Sequence, residues 1–215
     1  LTSCSNNSDW NRFGLNGKVK TCLERKYEAE KKFGEWENGD SEDYGNIRFF
    51  FDIEGNYQCV EYLDKDNGLL GKFIPQRENG EIIEEIYYNK DGKLINKIKN
   101  IHNSKDEFEF IVFNKDGEKT TQGKSYSVNN RCVKKEIQTF EEDKVKEEYS
   151  FVAEYDKKGH LISEKHTDKK GEITYFMKFK YIDFDKNNNW TKRLGYDSEE
   201  GEEPKNIFIR EYEYY

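Results

Sequence analysis

The chain of 215 residues is short of aliphatic material and has two prolines, one methionine and three histidines. Each shortage excludes something. No stretch approaches the roughly 18 consecutive apolar residues of a membrane-spanning helix. No Pro-rich or Gly/Ser-rich run reads as a linker between two cores, so one continuous domain is expected. The histidines, His102, His160 and His166, have no CxxC partner; His160 and His166 would share a strand face, and no metal site is expected. Apart from Cys4, the cysteines are Cys22, Cys59 and Cys132, an odd number without a disulfide framework. They read as half-buried thiols, with one bridge such as Cys22 to Cys59 as the alternative. No concentrated basic surface is present, so no nucleic-acid partner is expected. No Gly-x-Ser-x-Gly elbow, P-loop, dinucleotide fingerprint or His-Glu-x-x-His helix occurs, which points to a protein without cofactor and without catalysis. Paired acids such as Glu84-Glu85 and Glu147-Glu148 would point to opposite faces of a strand.

What the chain does have is rings and charge. Hydrophobic residues make up 33% and charged ones 37%, while Phe and Tyr occur 15 times each. A core built from so few aliphatics must be aromatic, and it is too thin to cover both faces of a sheet. The net charge of −8 is mixed along the chain rather than blocked into a tail, which favours solubility.

Turn signals recur through the chain. They fall at Ile53-Glu54-Gly55-Asn56, Asp64 to Gly68, Glu78-Asn79-Gly80, Asn89-Lys90-Asp91-Gly92, Asn114-Lys115-Asp116-Gly117, Asp156-Lys157-Lys158-Gly159, Asp168-Lys169-Lys170-Gly171 and Asp185 to Asn189. From Gly55 to Gly92 the glycines of these turn signals, Gly55, Gly68, Gly80 and Gly92, are 13, 12 and 12 residues apart. That spacing predicts strand, turn, strand, turn. The stretch from Lys18 to Glu30 alternates, with Val19, Thr21, Leu23, Tyr27 and Ala29 on one face and Lys20, Glu24, Lys26 and Glu28 on the wet one. The polar stretch from Glu35 to Tyr44 reads as a protruding loop. Ile82, Glu84, Ile86 and Tyr88 share a parity; so do Phe108, Phe110 and Val112, and so do Ile173, Tyr175, Met177, Phe179 and Tyr181. The fold class is therefore all-β: an antiparallel meander of β-hairpin repeats forming a long twisted, curled sheet, with a closed barrel or a wrapped sandwich as alternatives. Trp190, beside Tyr175, Phe179 and Tyr181, is the candidate ligand-binding residue, since an aromatic on a concave sheet can stack on a sugar ring or on a partner's apolar surface; its other reading is core.

The units Tyr88-Asn89-Lys90-Asp91-Gly92-Lys93-Leu94, Tyr155-Asp156-Lys157-Lys158-Gly159-His160-Leu161 and Phe184-Asp185 to Trp190 resemble RHS/YD-type repeat hairpins, especially those of short bacterial lipoproteins. The opening Leu1-Thr2-Ser3-Cys4 resembles a lipobox, whose cysteine becomes lipid-modified. These resemblances imply a lipobox remnant and polar tether over 1–16 and a single β-hairpin-repeat domain over 17–215. Cys4 would be the lipid attachment site. They also imply a non-catalytic protein of the bacterial cell envelope, anchored to the outer membrane through its lipid alone, with a repeat surface that recognises a protein or glycan. The alternatives are a glycan-binding accessory lipoprotein of a nutrient-uptake system and a hydrolase using cross-strand carboxylates.

Overall fold

The computed structural model describes residues 8–42 and 45–215. Cys4 lies outside them. A single helical turn, α1 (Asp9–Arg12), precedes fifteen strands: β1 (Val19–Lys32), β2 (Glu35–Ser41), β3 (Asn46–Phe51), β4 (Tyr57–Leu63), β5 (Leu69–Glu78), β6 (Glu81–Asn89), β7 (Leu94–His102), β8 (Glu107–Asn114), β9 (Lys119–Val128), β10 (Arg131–Glu141), β11 (Lys144–Tyr155), β12 (Leu161–Asp168), β13 (Ile173–Phe184), β14 (Trp190–Tyr196) and β15 (Asn206–Tyr214).

From β3 onward each strand pairs antiparallel with the next, as the turn spacing requires. Seven of the turns share one mechanism. The side-chain oxygen of Asp52, Asp64, Asn89, Asn114, Asp156, Asp168 or Asp185 accepts the backbone N–H groups two and four residues on. The residue between those two donors takes a positive φ, and it is Gly or Asn every time.

The sheet is not open. β15 also pairs with β1, in register from Val19↔Tyr214 to Glu28↔Asn206. With β2 outside the ring, fourteen of the fifteen strands form a closed barrel. The open curled sheet is thereby corrected and its barrel alternative stands. Closure satisfies the two edges that a meander of this length would leave unpaired.

The stretch read as a loop after β1 is strand β2, which pairs back on β1 through Ala29↔Asn38 and Lys32↔Glu35. Lys192 Nζ donates to the Trp36 carbonyl at 3.3 Å, tying this hairpin to the wall at β14. On that side Leu194 and Ile207 share the outward parity and are nevertheless buried.

Register assigns the faces. Pairings such as Cys22↔Tyr212, Cys22↔Phe49, Phe49↔Val60, Val60↔Phe73 and Phe73↔Tyr87 carry one parity around the barrel through Ile98, Phe110, Ile137, Phe151, His166 and Tyr175. This is the inner face. The outer face carries Glu84↔Lys99, Glu109↔Lys124 and Lys124↔Glu136. In β1 the register shift between Val19 and Thr21 moves the inner parity to Cys22 and Glu24. Thr21 and Leu23, read as the buried face, are therefore outward. A similar shift between Gln76 and Arg77 leaves Ile82 inward and Glu84 and Ile86 outward. Cys22 and Cys59 stand on opposite faces, which rules out their bridge; both are free thiols, as is Cys132.

Candidate functional site

Residues 8–16 were expected as part of a tether, but they are packed against one end of the barrel. The Asp9 N–H donates to the Gly55 carbonyl at 2.9 Å, and its carboxylate accepts the Tyr57 N–H at 2.8 Å and pairs with Arg77. Trp10 Nε1 donates to the Val19 carbonyl at 2.8 Å. The Phe13 ring sits 5.0 Å from Phe49, 5.7 Å from Phe51 and 5.8 Å from Tyr57, and Leu15 is buried with Val19 and Cys22. The chain then reaches the turn between β13 and β14, where the Asn16 N–H donates to Asn189 Oδ1 at 2.7 Å and Asn189 Nδ2 donates back to the Asn16 carbonyl at 2.8 Å. The segment thus crosses from one turn of this rim to another and caps that end. Three apolar side chains at uneven spacing do this, a pattern that no strand or helix period reveals.

Above the cap lies a cavity of about 210 Å³ inside the barrel. Glu24 stands in its wall, its carboxylate bridging Arg193 Nη2 at 3.2 Å and Arg210 Nε at 2.7 Å. Burial pushes the Glu24 carboxyl up, but the two guanidinium charges and their hydrogen bonds outweigh it and hold the group below the usual carboxylate range. It stays ionised and offers no proton. Burial alone would lower the Arg210 value; Glu24 raises it instead. Beside them burial drives the Cys22 thiol up to about 11, so it is no nucleophile at neutral pH.

Trp190 is part of this wall and 5% exposed. Arg193 lies 4.4 Å and Arg210 4.2 Å from its ring centroid, and Arg193 also lies 4.1 Å from Phe179 and 4.7 Å from Phe208. Trp190 is thus in the barrel interior rather than on an open concave face. Of its expected companions, Phe179 and Tyr181 pack with it. Tyr175 stands further up the inner wall, paired with His166. His160 lines the cavity with its Nδ1 3.0 Å from Asp156 Oδ2, whereas His166 lies among Phe151, Tyr149 and Tyr175 on the inner wall, so the two histidines do not meet.

Sequence reasoning missed Glu24, Arg131, Arg193 and Arg210. Arg193 stands three residues from Trp190, opposite parity in a regular strand, and the register shifts between β13 and β14 bring both inside. A larger concavity of about 510 Å³ lies across β8 to β12 and takes in the outward side chains there. Its polar groups are spent on one another: Gln122 Nε2 donates to Gln138 at 2.8 Å, Gln138 Nε2 to Glu148 at 2.7 Å, and Lys169 pairs with Glu148 at 2.9 Å. Beside the interior cavity the buried Nε atoms of Arg131 and Arg193 have no hydrogen-bond partner.

No family model matches the chain. No curated protein matches it either. Among solved structures, a porin-like protein from Bacteroides uniformis is similar in fold, with a TM-score of 0.50, 7% sequence identity, and coverage of 92% of this chain and 99% of that one. The likeness is one of all-β barrel architecture.

Proposed function

We propose that this chain is a non-catalytic binding protein of the bacterial cell envelope, lipid-anchored to the outer membrane through Cys4, whose barrel interior holds a small ligand. The observation that carries the reading is the distribution of side chains between the two faces. A membrane-spanning barrel turns an apolar band to lipid and a polar surface inward. Here the rings of Phe49, Phe73, Phe110, Phe151 and Phe179 turn inward, while the wall outside carries ion pairs such as Lys124 with Glu109 at 3.2 Å and Arg48 with Glu61 at 3.5 Å. A charge at the middle of a bilayer-facing wall costs ~2–4 kcal/mol for Lys or Arg. Such a barrel suits water outside and a ligand within. Eight strands give an interior that side chains can fill, and fourteen give a wider one. Aromatic residues of the inner wall between β8 and β11 are accordingly only half-buried.

Titration of the full chain with the neutral fluorescent probe N-phenyl-1-naphthylamine tests the interior. Saturable enhancement at about one probe per chain supports it; an unchanged signal contradicts it. Metabolic labelling with an alkyne fatty acid tests the anchor, which requires incorporation that Cys4→Ser abolishes.

A second reading, capture of a glycan, is favoured by a row of rings on the inner wall away from the cap. Tyr149 stacks on His166 at 6.4 Å and 5°, His166 meets Tyr175 at 5.1 Å, and Tyr175 is 41% exposed. Glycan-array binding lost in Tyr175→Ala would replace the first reading with this one.

A further inference from the structure

Of the chain's 36 basic residues, 29 are lysines and seven are arginines. Four of those seven, Arg12, Arg131, Arg193 and Arg210, line the interior cavity, and no lysine does. The carboxylate in that wall, Glu24, has both oxygens taken by Arg193 and Arg210. Asp156, which reaches the cavity through His160, spends its oxygens on His160 and on its own turn. The side chain of Arg131 makes no hydrogen bond or ion pair among the described residues and lies 6.0 Å from the Tyr155 ring. The side chain of Arg193 is 10% exposed and is spent on Glu24 and Tyr181, with only its buried Nε unpartnered. A protein of net charge −8 therefore gathers an excess of positive charge around one cavity of the barrel. Low-dielectric walls strengthen its pull on an anion.

The choice of arginine narrows the ligand. Lysine offers a point charge, whereas the planar fork of arginine fits a carboxylate through two parallel hydrogen bonds. The remaining wall is aromatic, with Phe49, Tyr155, Tyr181 and Trp190 facing the space. At about 210 Å³ the cavity falls below the ~300–1,000 Å³ of drug-sized sites, so the occupant is small.

We propose that this cavity binds a small aromatic carboxylate, its carboxylate held by the unpaired guanidinium of Arg131 and its ring against Trp190 and Tyr181. The inference rests on the reading of the barrel interior as a binding site and names the ligand class. Calorimetric and tryptophan-fluorescence titrations of the full chain with benzoate, benzamide and inorganic phosphate test it. Benzoate is expected to bind at one per chain, at least about tenfold tighter than benzamide, which has the ring without the charge, and than phosphate, which has the charge without the ring. Arg131→Gln should weaken benzoate about tenfold. Should that variant fail to fold, Arg12→Gln, at an exposed position, is expected to weaken benzoate in the same direction. Equal affinity for benzoate and benzamide, phosphate binding as tight as benzoate, no benzoate binding, or full benzoate affinity in the folded Arg131→Gln variant would each overturn the proposal. Retained binding of the neutral probe without benzoate binding defeats this inference alone. Loss of both defeats the binding reading as well.

Discussion

At the residue scale, the molecule's most consequential group is Glu24. Its charge makes two buried guanidiniums tolerable, and without it Arg193 and Arg210 would stand uncompensated beside Trp190. Glu24→Gln is expected to destabilise the fold by ~3–5 kcal/mol at neutral pH, read as a fall in the urea midpoint. Because the folded carboxyl value lies below its unfolded value of about 4.3, Glu24 contributes fully above that pH and loses its contribution as pH falls through the lower folded value. The gap between wild type and variant should therefore be widest above pH ~4.3 and narrow on further acidification. A gap independent of pH would show that the carboxylate charge is not what matters. Trp190 was legible as a residue of interest; its surroundings were not. Strict alternation from Lys18 put Glu24 on the wet face, and the single extra residue at Lys20 turned that assignment around.

At the scale of elements, the turns were readable because their chemistry is local: an Asp or Asn, two backbone donors and a residue with positive φ all lie within five positions. β2 was not readable, since Glu35 to Ser41 is polar and pairs only by virtue of lying next to β1. The cap was not readable either, because Trp10 finds Val19 nine residues on and Phe13 finds Phe49, Phe51 and Tyr57 36 to 44 residues away. One turn joins the two kinds of information. Gly55 has φ of +89°, and a Cβ there would lie 2.5 Å from the Trp10 ring. Gly92, with φ of +73°, has nothing within 4 Å of that position. Gly92→Ala should cost only the backbone strain, ~1–2 kcal/mol, whereas Gly55→Ala adds an overpacking cost of ~1–3 kcal/mol by displacing the cap. Equal urea midpoints for the two variants would mean that Trp10 does not seat on this turn.

For the whole molecule, fold and surface carry different information. The barrel shares its architecture with a porin-like protein, but rings such as Phe49, Phe110 and Phe151 point inward and many of its charges outward. A fold likeness at 7% identity leaves the function to the side chains. Closure was beyond the sequence because it depends on register and stagger summed over every strand, which no local pattern encodes. Everything proposed for the interior depends on it: in an open sheet the cavity would lose the wall where Glu24 of β1 meets Arg210 of β15. The seam between β1 and β15 is therefore the place to measure. Cross-strand nuclear Overhauser contacts linking Cys22 with Tyr212 and Arg25 with Ile209 are expected in a closed barrel. Their absence, with the contacts between β1 and β3 and between β14 and β15 intact, would show an open sheet and remove the interior site.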